Sequence, residues 1–217
     1  MSFLESFRSS APLMLEGLLI TLQLAVLAVV FALAVGLVVA WMRMSRFRVL
    51  RWLAQSYLAV IRGTPMVTQL FVIYYGLVTI VNISAFWSAV IGLTVHNAAY
   101  MAEIFRSGVE SVPKGQTESA RSVGMSRFQA LRIVVAPQAF RAILPALGNQ
   151  FIIALKDTAV ASFITVPDLF MQAQKLAAST YAPLTYYLIS AVYYLILVLL
   201  LTALLRRLER RHTRYAI

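Results

Sequence analysis

The apolar positions of this chain are gathered into long runs that are separated by short polar segments. A helix needs about 20 predominantly apolar residues to cross the hydrocarbon core of a bilayer. The pattern therefore predicts an all-α integral membrane protein with five transmembrane helices in one domain, residues 1–217. The predicted spans cover about residues 18–41, 66–81, 86–105, 143–166 and 185–205.

Two stretches beside the first two spans favour helices of their own. Residues 62–65 read RGTP, and Gly and Pro together break helices. The second span is therefore expected to begin near Met66, with residues 53–61 as a separate lead-in helix. Residues 1–17 mix Phe, Leu, Ser, Glu and Arg, a composition typical of a short helix at the membrane surface.

Composition agrees with a membrane protein, because 61% of the residues are hydrophobic and only 12% are charged. A soluble domain is about a quarter charged. The net charge of +11 does not indicate nucleic-acid binding, since the basic residues form three clusters between or after the apolar runs. The clusters are Arg43, Arg46, Arg48 and Arg51; Arg106, Lys114, Arg121, Arg127, Arg132 and Arg141; and Arg206, Arg207, Arg210, Arg211 and Arg214.

The positions of these clusters predict the orientation of the chain. Five spans place all three clusters on the same side of the membrane, and basic residues accumulate in cytoplasmic segments. The N-terminus is therefore expected outside and the C-terminus in the cytoplasm. The last cluster is also expected to contact anionic lipid headgroups.

The motifs that mark common enzymes are missing from the sequence. There is no cysteine, which excludes disulfides, thiolate catalysis and cysteine-based metal sites. Neither H-E-x-x-H nor G-x-S-x-G occurs, so the sequence offers no hydrolase constellation. We expect no enzyme activity, cofactor or metal in this chain.

One polar segment between the third and fourth spans does not fit the apolar pattern. It reads ESARSVGMSRFQALRIVVAPQ, residues 118–138. Ser126 and Gln129 have the spacing of a capping box, in which each satisfies the backbone N–H of the other. Gly124 suits the left-handed residue that follows the end of a helix. The segment is therefore predicted to contain a tight turn between two helices.

Prolines mark the outer ends of these two helices. Pro113 is suited to begin the first, at about residues 114–123, and Pro137 to stop the second, at about 127–136. We call residues 114–136 the hairpin. Its exposed apolar stripe is equally consistent with docking into the groove of another protein and with packing beneath its own bundle.

The hairpin resembles the EAA loop of the membrane subunits of ABC importers. It departs from the family pattern only by small residues, Ser119 in place of Ala and Ala136 in place of Leu. Other segments resemble the polar amino acid branch, the histidine, glutamine, arginine and cystine permeases: residues 62–65, 97–103, 147–150 and 156–158. The loop residues at the family's spacing are Glu118, Ser119, Ala120, Gly124, Val134 and Pro137.

The resemblance implies a type I ABC importer fold in the bacterial cytoplasmic (inner) membrane. Its implied partners are a dimer of ATPase subunits that bind ATP and Mg, a second permease subunit, identical or homologous, and an extracytoplasmic substrate-binding protein. In agreement, this chain has no phosphate-loop motif of its own. The residues implied to couple the hairpin to the ATPase are Glu118, Ser119, Ala120, Arg121, Gly124, Met125 and Ser126.

Polar side chains at membrane depth are candidates for a translocation path, because such groups are costly in lipid and usually face a cavity or a partner. His96, Asn97 and Tyr100 share or border one face of the third span. We expect them to line a solute path. The alternative is that His96 is neutral and hydrogen-bonded between helices. Lys156 and Asp157 belong to a gate or path, or to an internal network.

Arg62 and Glu103 are expected to form a structural ion pair near the cytoplasmic ends of their spans, with substrate contact as the alternative.

The rival function is a proton-coupled secondary amino acid transporter, in which Glu103, His96 and Asp157 relay protons. That class needs no docking hairpin, and the sequence shows no inverted repeat of the kind that many such transporters have.

Overall fold

The computed structural model describes residues 2–78, 80–81 and 83–213, and this part of the chain is all-helical. A π-helical segment (Ala130–Val135) precedes α7, and a 3-10 segment (Thr158–Ile164) follows it. The α-helices are α1 (Phe3–Met44), α2 (Arg48–Gly63), α3 (Met66–Val78), α4 (Ala85–Ser111), α5 (Lys114–Ser122), α6 (Arg127–Gln129), α7 (Ala136–Asp157), α8 (Leu169–Thr180) and α9 (Pro183–Thr213).

The predicted surface helix at residues 1–17 is wrong as a separate element. It is the beginning of α1, which runs for 42 residues and starts with a capping box between Ser2 and Glu5. The N-terminal half of α1 packs on α8 and α9, where the rings of Phe7 and Tyr193 stack 5.2 Å apart. These tertiary contacts hold the amphipathic start of α1 in line with the span.

The break at residues 62–65 is confirmed, because α2 and α3 meet there at an angle of 109°. The side-chain amide of Gln69 donates to the carbonyl of Ile61, 2.7 Å away, and to that of Thr64, 3.1 Å away. It therefore satisfies carbonyls that lose their partners where α2 ends. Helix α2 starts at Arg48, earlier than the predicted start of the lead-in helix at residue 53. Residue 79, near the predicted end of the second span, lies outside the described residues.

Pro137 does not stop the second helix of the hairpin, which corrects the predicted end near residue 136. The chain remains helical from Arg127 through Asp157. Pro137 is the second residue of α7 and has no N–H to donate back into this continuous helix. The π-helical segment directly before it has a wider turn, which relieves the clash between the proline ring and the preceding carbonyls.

Fewer helices than the five predicted spans meet a test of length and apolar character. Among the described residues, three helical runs qualify, Phe3–Met44, Arg127–Ile164 and Pro183–Arg207, and the bent pair of α2 and α3 raises the number to four. Helix α4 is long enough at 27 residues but does not qualify. The polar residues that lower its hydropathy include Ser88, Thr94, His96, Asn97 and Glu103.

The contact between α1 and α4 forms the centre of the bundle. Small residues let the two backbones approach closely, as is usual between membrane helices. A Cβ added to Gly36 would lie 2.7 Å from the Cβ of Met101. Ala32, Ala98 and Ala102 are also buried at this level. Helix α4 is therefore fixed against α1. Its Thr94 and Glu103 bond to α1, whereas His96 bonds to α3 and Asn97 to α7.

Candidate functional site

The turn of the hairpin has the geometry of a Schellman motif, as Gly124 predicted. Gly124 has a φ of 87°, in the left-handed region. Its N–H donates to the carbonyl of Arg121 at 3.1 Å, and the N–H of Met125 donates to that of Ala120 at 3.2 Å. These two bonds end α5 and fix the direction in which the chain leaves it.

The capping box at the start of α6 is also confirmed. The backbone N–H of Gln129 donates to the hydroxyl of Ser126 at 3.2 Å, and the N–H of Ser126 donates to the side-chain oxygen of Gln129 at 2.8 Å. Both ends of the turn are therefore closed by local hydrogen bonds, so that the turn needs no partner to hold its shape.

The outer surface of the hairpin is uncovered within this chain. Val123 and Phe128, on either side of the turn, are 75% and 68% exposed. Ala120 is buried, because α5 packs there against the π-helical segment. Glu118, Ser119, Arg121, Gly124 and Ser126 are exposed, and Met125 is half-buried. The predicted coupling residues other than the buried Ala120 thus lie together on one projecting surface.

Asn97 lies at the contact between α4 and α7. It is fully buried, and its amide donates to the carbonyl of Leu93 at 2.9 Å. Its side-chain oxygen accepts a hydrogen bond of 3.0 Å from the amide of Gln150 on α7. Asn97 therefore faces no open space in this structure, and its part in a path stays a prediction.

His96 joins α4 to the elbow between α2 and α3. Its Nδ1 lies 2.9 Å from the side-chain oxygen of Gln69. The amide nitrogen of Gln69 donates to backbone carbonyls, which can only accept, so its oxygen faces His96. Nδ1 of His96 therefore carries the proton and donates. The ring of Tyr100 lies 5.2 Å from that of His96, and both side chains are half-buried.

Glu103 is the centre of an ion-pair cluster at the end of α4. It accepts from Arg43 of α1 and, at 3.0 Å, from Nη2 of Arg106. The predicted partner Arg62 is more distant, with its Nη1 3.9 Å from Glu103, and is half exposed. Arg106 also bonds Glu110. The cluster thus ties together the ends of α1, α2 and α4.

Sequence reasoning missed Gln69 and Arg43. Gln69 is a polar residue in a mostly apolar run, four residues after Pro65. A polar side chain so close to a helix break is a signal that it bonds the free carbonyls at the helix end. Arg43 was assigned only to a basic cluster, because nothing in the local sequence shows that α1 ends beside Glu103. The packing of α1 on α4 is what creates this pair.

Lys156 and Asp157 close α7 and lie at the entrance to the 3-10 segment. Lys156 is exposed and Asp157 is half-buried. Within the part of the chain that the structure describes, neither takes part in an ion pair. Their assignment to a gate or path stays a prediction.

The fold and sequence of this chain match a known family of transport proteins. Residues 32–214 match the family model described as "Binding-protein-dependent transport system inner membrane component", and the chain belongs to that family. The resemblance to permease subunits of amino acid ABC importers is therefore confirmed.

Individual relatives match over nearly the whole chain. The arginine transport system permease protein ArtQ of Bacillus subtilis (strain 168) is 37% identical over 92% of each chain. The glutamine transport system permease protein GlnP of Escherichia coli (strain K12) is 39% identical over 92% of this chain and 93% of its own. A crystal structure of an amino acid ABC transporter with histidines is 43% identical, with a TM-score of 0.91 over 97% of this chain and 99% of that one.

Proposed function

We propose that this chain is one half of the translocation path for a polar amino acid in an ATP-driven importer of the bacterial cytoplasmic membrane. The relatives named for arginine and glutamine transport support a polar amino acid as substrate. The three basic clusters support an orientation with five spans, the N-terminus outside and the C-terminus in the cytoplasm. Arg214 and the side chains of Arg210 and Arg211 lie outside the described residues.

The observation that carries this proposal is the continuous helical connection from the hairpin into the membrane. The run from Arg127 to Asp157 is unbroken, although its winding changes at residues 130–135. A partner that moves the exposed surface around Val123 and Phe128 therefore moves α7 with it, as a rigid body. The hairpin is suited to transmit motion from an ATPase, with Glu118 to Ser126 in contact with that subunit.

The partners follow from this arrangement. A pair of ATPase subunits holds ATP and Mg and carries out hydrolysis, so this chain needs no nucleotide site or metal. A second permease subunit, identical or homologous, supplies the other half of the path. An extracytoplasmic binding protein delivers the amino acid to the opposite face.

The path within this chain is formed by the half-buried groups on α4 and by the end of α7. His96 and Tyr100 present polar atoms beside the elbow at residues 62–65. Lys156 is exposed and provides a cation at the end of α7, before the 3-10 segment. Asn97 acts indirectly, through its bond with Gln150, by holding α4 against α7.

The test is reconstitution of the purified assembly into vesicles with labelled arginine, glutamine or other polar amino acids. ATP inside the vesicle lumen that represents the cytoplasm, with binding protein on the other side, is expected to drive uptake. Uptake driven by a proton gradient, without ATP or an ATPase subunit, would show a secondary transporter. The relatives do not favour that alternative, since they are ABC permease subunits.

A further inference from the structure

An apolar groove with a volume of about 690 Å³ lies on the side of the bundle near the hairpin. Its walls come from the last turns of α1, the C-terminal half of α4, the π-helical segment and the beginning of α7. Every residue that lines it is apolar. Those that define its four walls are Trp41, Met44, Phe105, Val109, Leu131 and Phe140.

The groove is open at the surface and is not part of the packed core. Trp41 is 62% exposed, and Phe140 and Leu131 are also exposed. In the proposed orientation the groove lies at the level of the cytoplasmic leaflet, since α1 and α4 both end there. An open apolar groove at this depth is a site for an acyl chain.

Three arginines lie next to groove-lining residues along the chain. Arg46 and Arg48 follow Met44 by two and four residues, and Arg132 is the neighbour of Leu131. All three are exposed, and within the described residues none forms an ion pair. The nearby acid Glu110 is bonded to Arg106. We therefore expect a positively charged mouth, because no ion pair within the described residues neutralises these arginines. The guanidinium of Arg46 lies 5.0 Å from the ring of Phe47.

We propose that this groove binds an anionic phospholipid of the cytoplasmic leaflet. One acyl chain lies between α1, α4 and α7, and the lipid phosphate contacts Arg46, Arg48 and Arg132. Apolar walls combined with a basic rim on the cytoplasmic side match the chemistry of such a lipid. A second copy of this chain in the same place would bring identical unpaired arginines together, and like charges repel. The inference rests on the proposed orientation and not on the substrate.

The experiment uses the complete transporter, purified with its partner subunits and depleted of lipid. Native mass spectrometry counts the molecules of phosphatidylglycerol or phosphatidylcholine retained during titration of each. The unmodified protein is expected to retain phosphatidylglycerol preferentially. Each arginine near a surface contributes about 1 kcal/mol to anionic lipid binding, so Arg46→Gln with Arg132→Gln is expected to weaken phosphatidylglycerol binding about 30-fold.

Two further variants separate the groove from general surface charge. Arg8→Gln with Lys175→Gln removes the same charge from exposed positions of α1 and α8 outside the groove and is expected to leave the preferential binding unchanged. Ala136→Phe fills the groove and is expected to abolish retention of the bound lipid, whereas Ala191→Phe, at an exposed position of α9, is expected to leave it intact. Neither result depends on which amino acid is transported.

Three outcomes would overturn the proposal. Equal retention of the two lipids would show an unselective apolar surface. An equal effect of the control pair Arg8 and Lys175 would show general electrostatic attraction. Loss of one permease subunit from the mass of the Ala136→Phe assembly, in place of loss of lipid, would show that a second copy of the chain covers the groove.

Discussion

The side-chain amide of Gln150 donates a hydrogen bond to the side-chain oxygen of Asn97 over 3.0 Å, which joins α7 to α4 in the middle of the bundle. Both residues are buried, and the amide of Asn97 is itself bonded to the carbonyl of Leu93. The polar groups of this pair are thus satisfied inside an apolar region. This contact connects the helix that continues from the hairpin to the helix that carries His96.

Removal of one partner of this pair is expected to be worse than removal of both. Asn97→Leu leaves the amide of Gln150 buried without its acceptor, which costs about 1–3 kcal/mol. The double variant Asn97→Leu with Gln150→Leu is expected to recover about 1 kcal/mol of that loss. Unfolding of the purified assembly in mixed detergent, followed as a double-mutant cycle, measures the difference. Strictly additive losses would mean that the bond contributes nothing to stability.

The cluster around Glu103 predicts unequal roles for its two partners on other helices. Arg43 is hydrogen-bonded to Glu103 and partly buried, whereas Arg62 is 3.9 Å away and half exposed. Exposed pairs contribute about 0–1 kcal/mol, so Arg62→Gln is expected to change the melting temperature little. Arg43→Gln is expected to lower it clearly more, because Glu103 loses a close, partly buried partner.

Arg51→Gln is the matched control for this comparison, since Arg51 is an exposed arginine of α2 that forms no ion pair within the described residues. A larger effect of Arg62→Gln than of Arg43→Gln, measured by thermal denaturation in detergent, would contradict the geometry. It would assign to Arg62 the main structural role that the sequence alone predicted.

Local features of the fold were predictable from the sequence for physical reasons. Gly124 and Ser126 determine their own backbone geometry through left-handed φ and capping, and both depend only on neighbours in the chain. The helix break before Met66 is similarly a property of Gly and Pro. Apolar runs identified α1 and α9 because lipid selects for length and hydropathy.

Features that depend on tertiary contacts were not predictable in this way. The bond between His96 and Gln69 needs the 109° bend, which turns α3 back beside α4. The continuation of the helix through Pro137 needs the π-helical winding before it. Helix α4 has few apolar residues for a span, and its burial among other helices allows its polar side chains. A hydropathy pattern contains none of this information.

Asp168 predicts a pH-dependent stability at the start of α8. It is fully buried and caps α8 by accepting from the N–H of Met171 at 2.9 Å, while its Oδ2 has no hydrogen-bond partner in the described part of the chain. Burial raises the pKa of Asp168 to about 7. An aspartate in the unfolded chain has a pKa of about 3.9, so the folded state holds the proton between these values. Stability therefore falls as the pH rises from about 4 to about 7.

Asp168→Asn is expected to remove this dependence, because asparagine keeps the cap and stays neutral. Its melting temperature is expected to exceed that of the unmodified protein at pH 8 and to approach it near pH 4, where an unfolded aspartate also begins to bind the proton. Thermal denaturation in detergent across this range measures both curves, with Glu16→Gln as a control carboxylate that is exposed on α1. Parallel curves for the two proteins would mean that Asp168 does not bind the proton.

The left-handed conformation of Gly124 predicts a defect in ATPase attachment that requires no steric clash. A Cβ at this position would meet no atom within 4 Å, so any effect of a side chain comes from its φ of 87°. A left-handed conformation costs an L-residue about 1–2 kcal/mol and more for β-branched valine, whereas asparagine tolerates it. Gly124→Val is therefore expected to distort the turn and lower the ratio of ATPase to permease after co-purification, whereas Gly124→Asn preserves it.

Ser119→Ala on the same exposed surface is expected to keep the ratio unchanged, since it removes only a hydroxyl. Equal ratios for the Val and Asn variants would show that the shape of the turn does not determine ATPase binding.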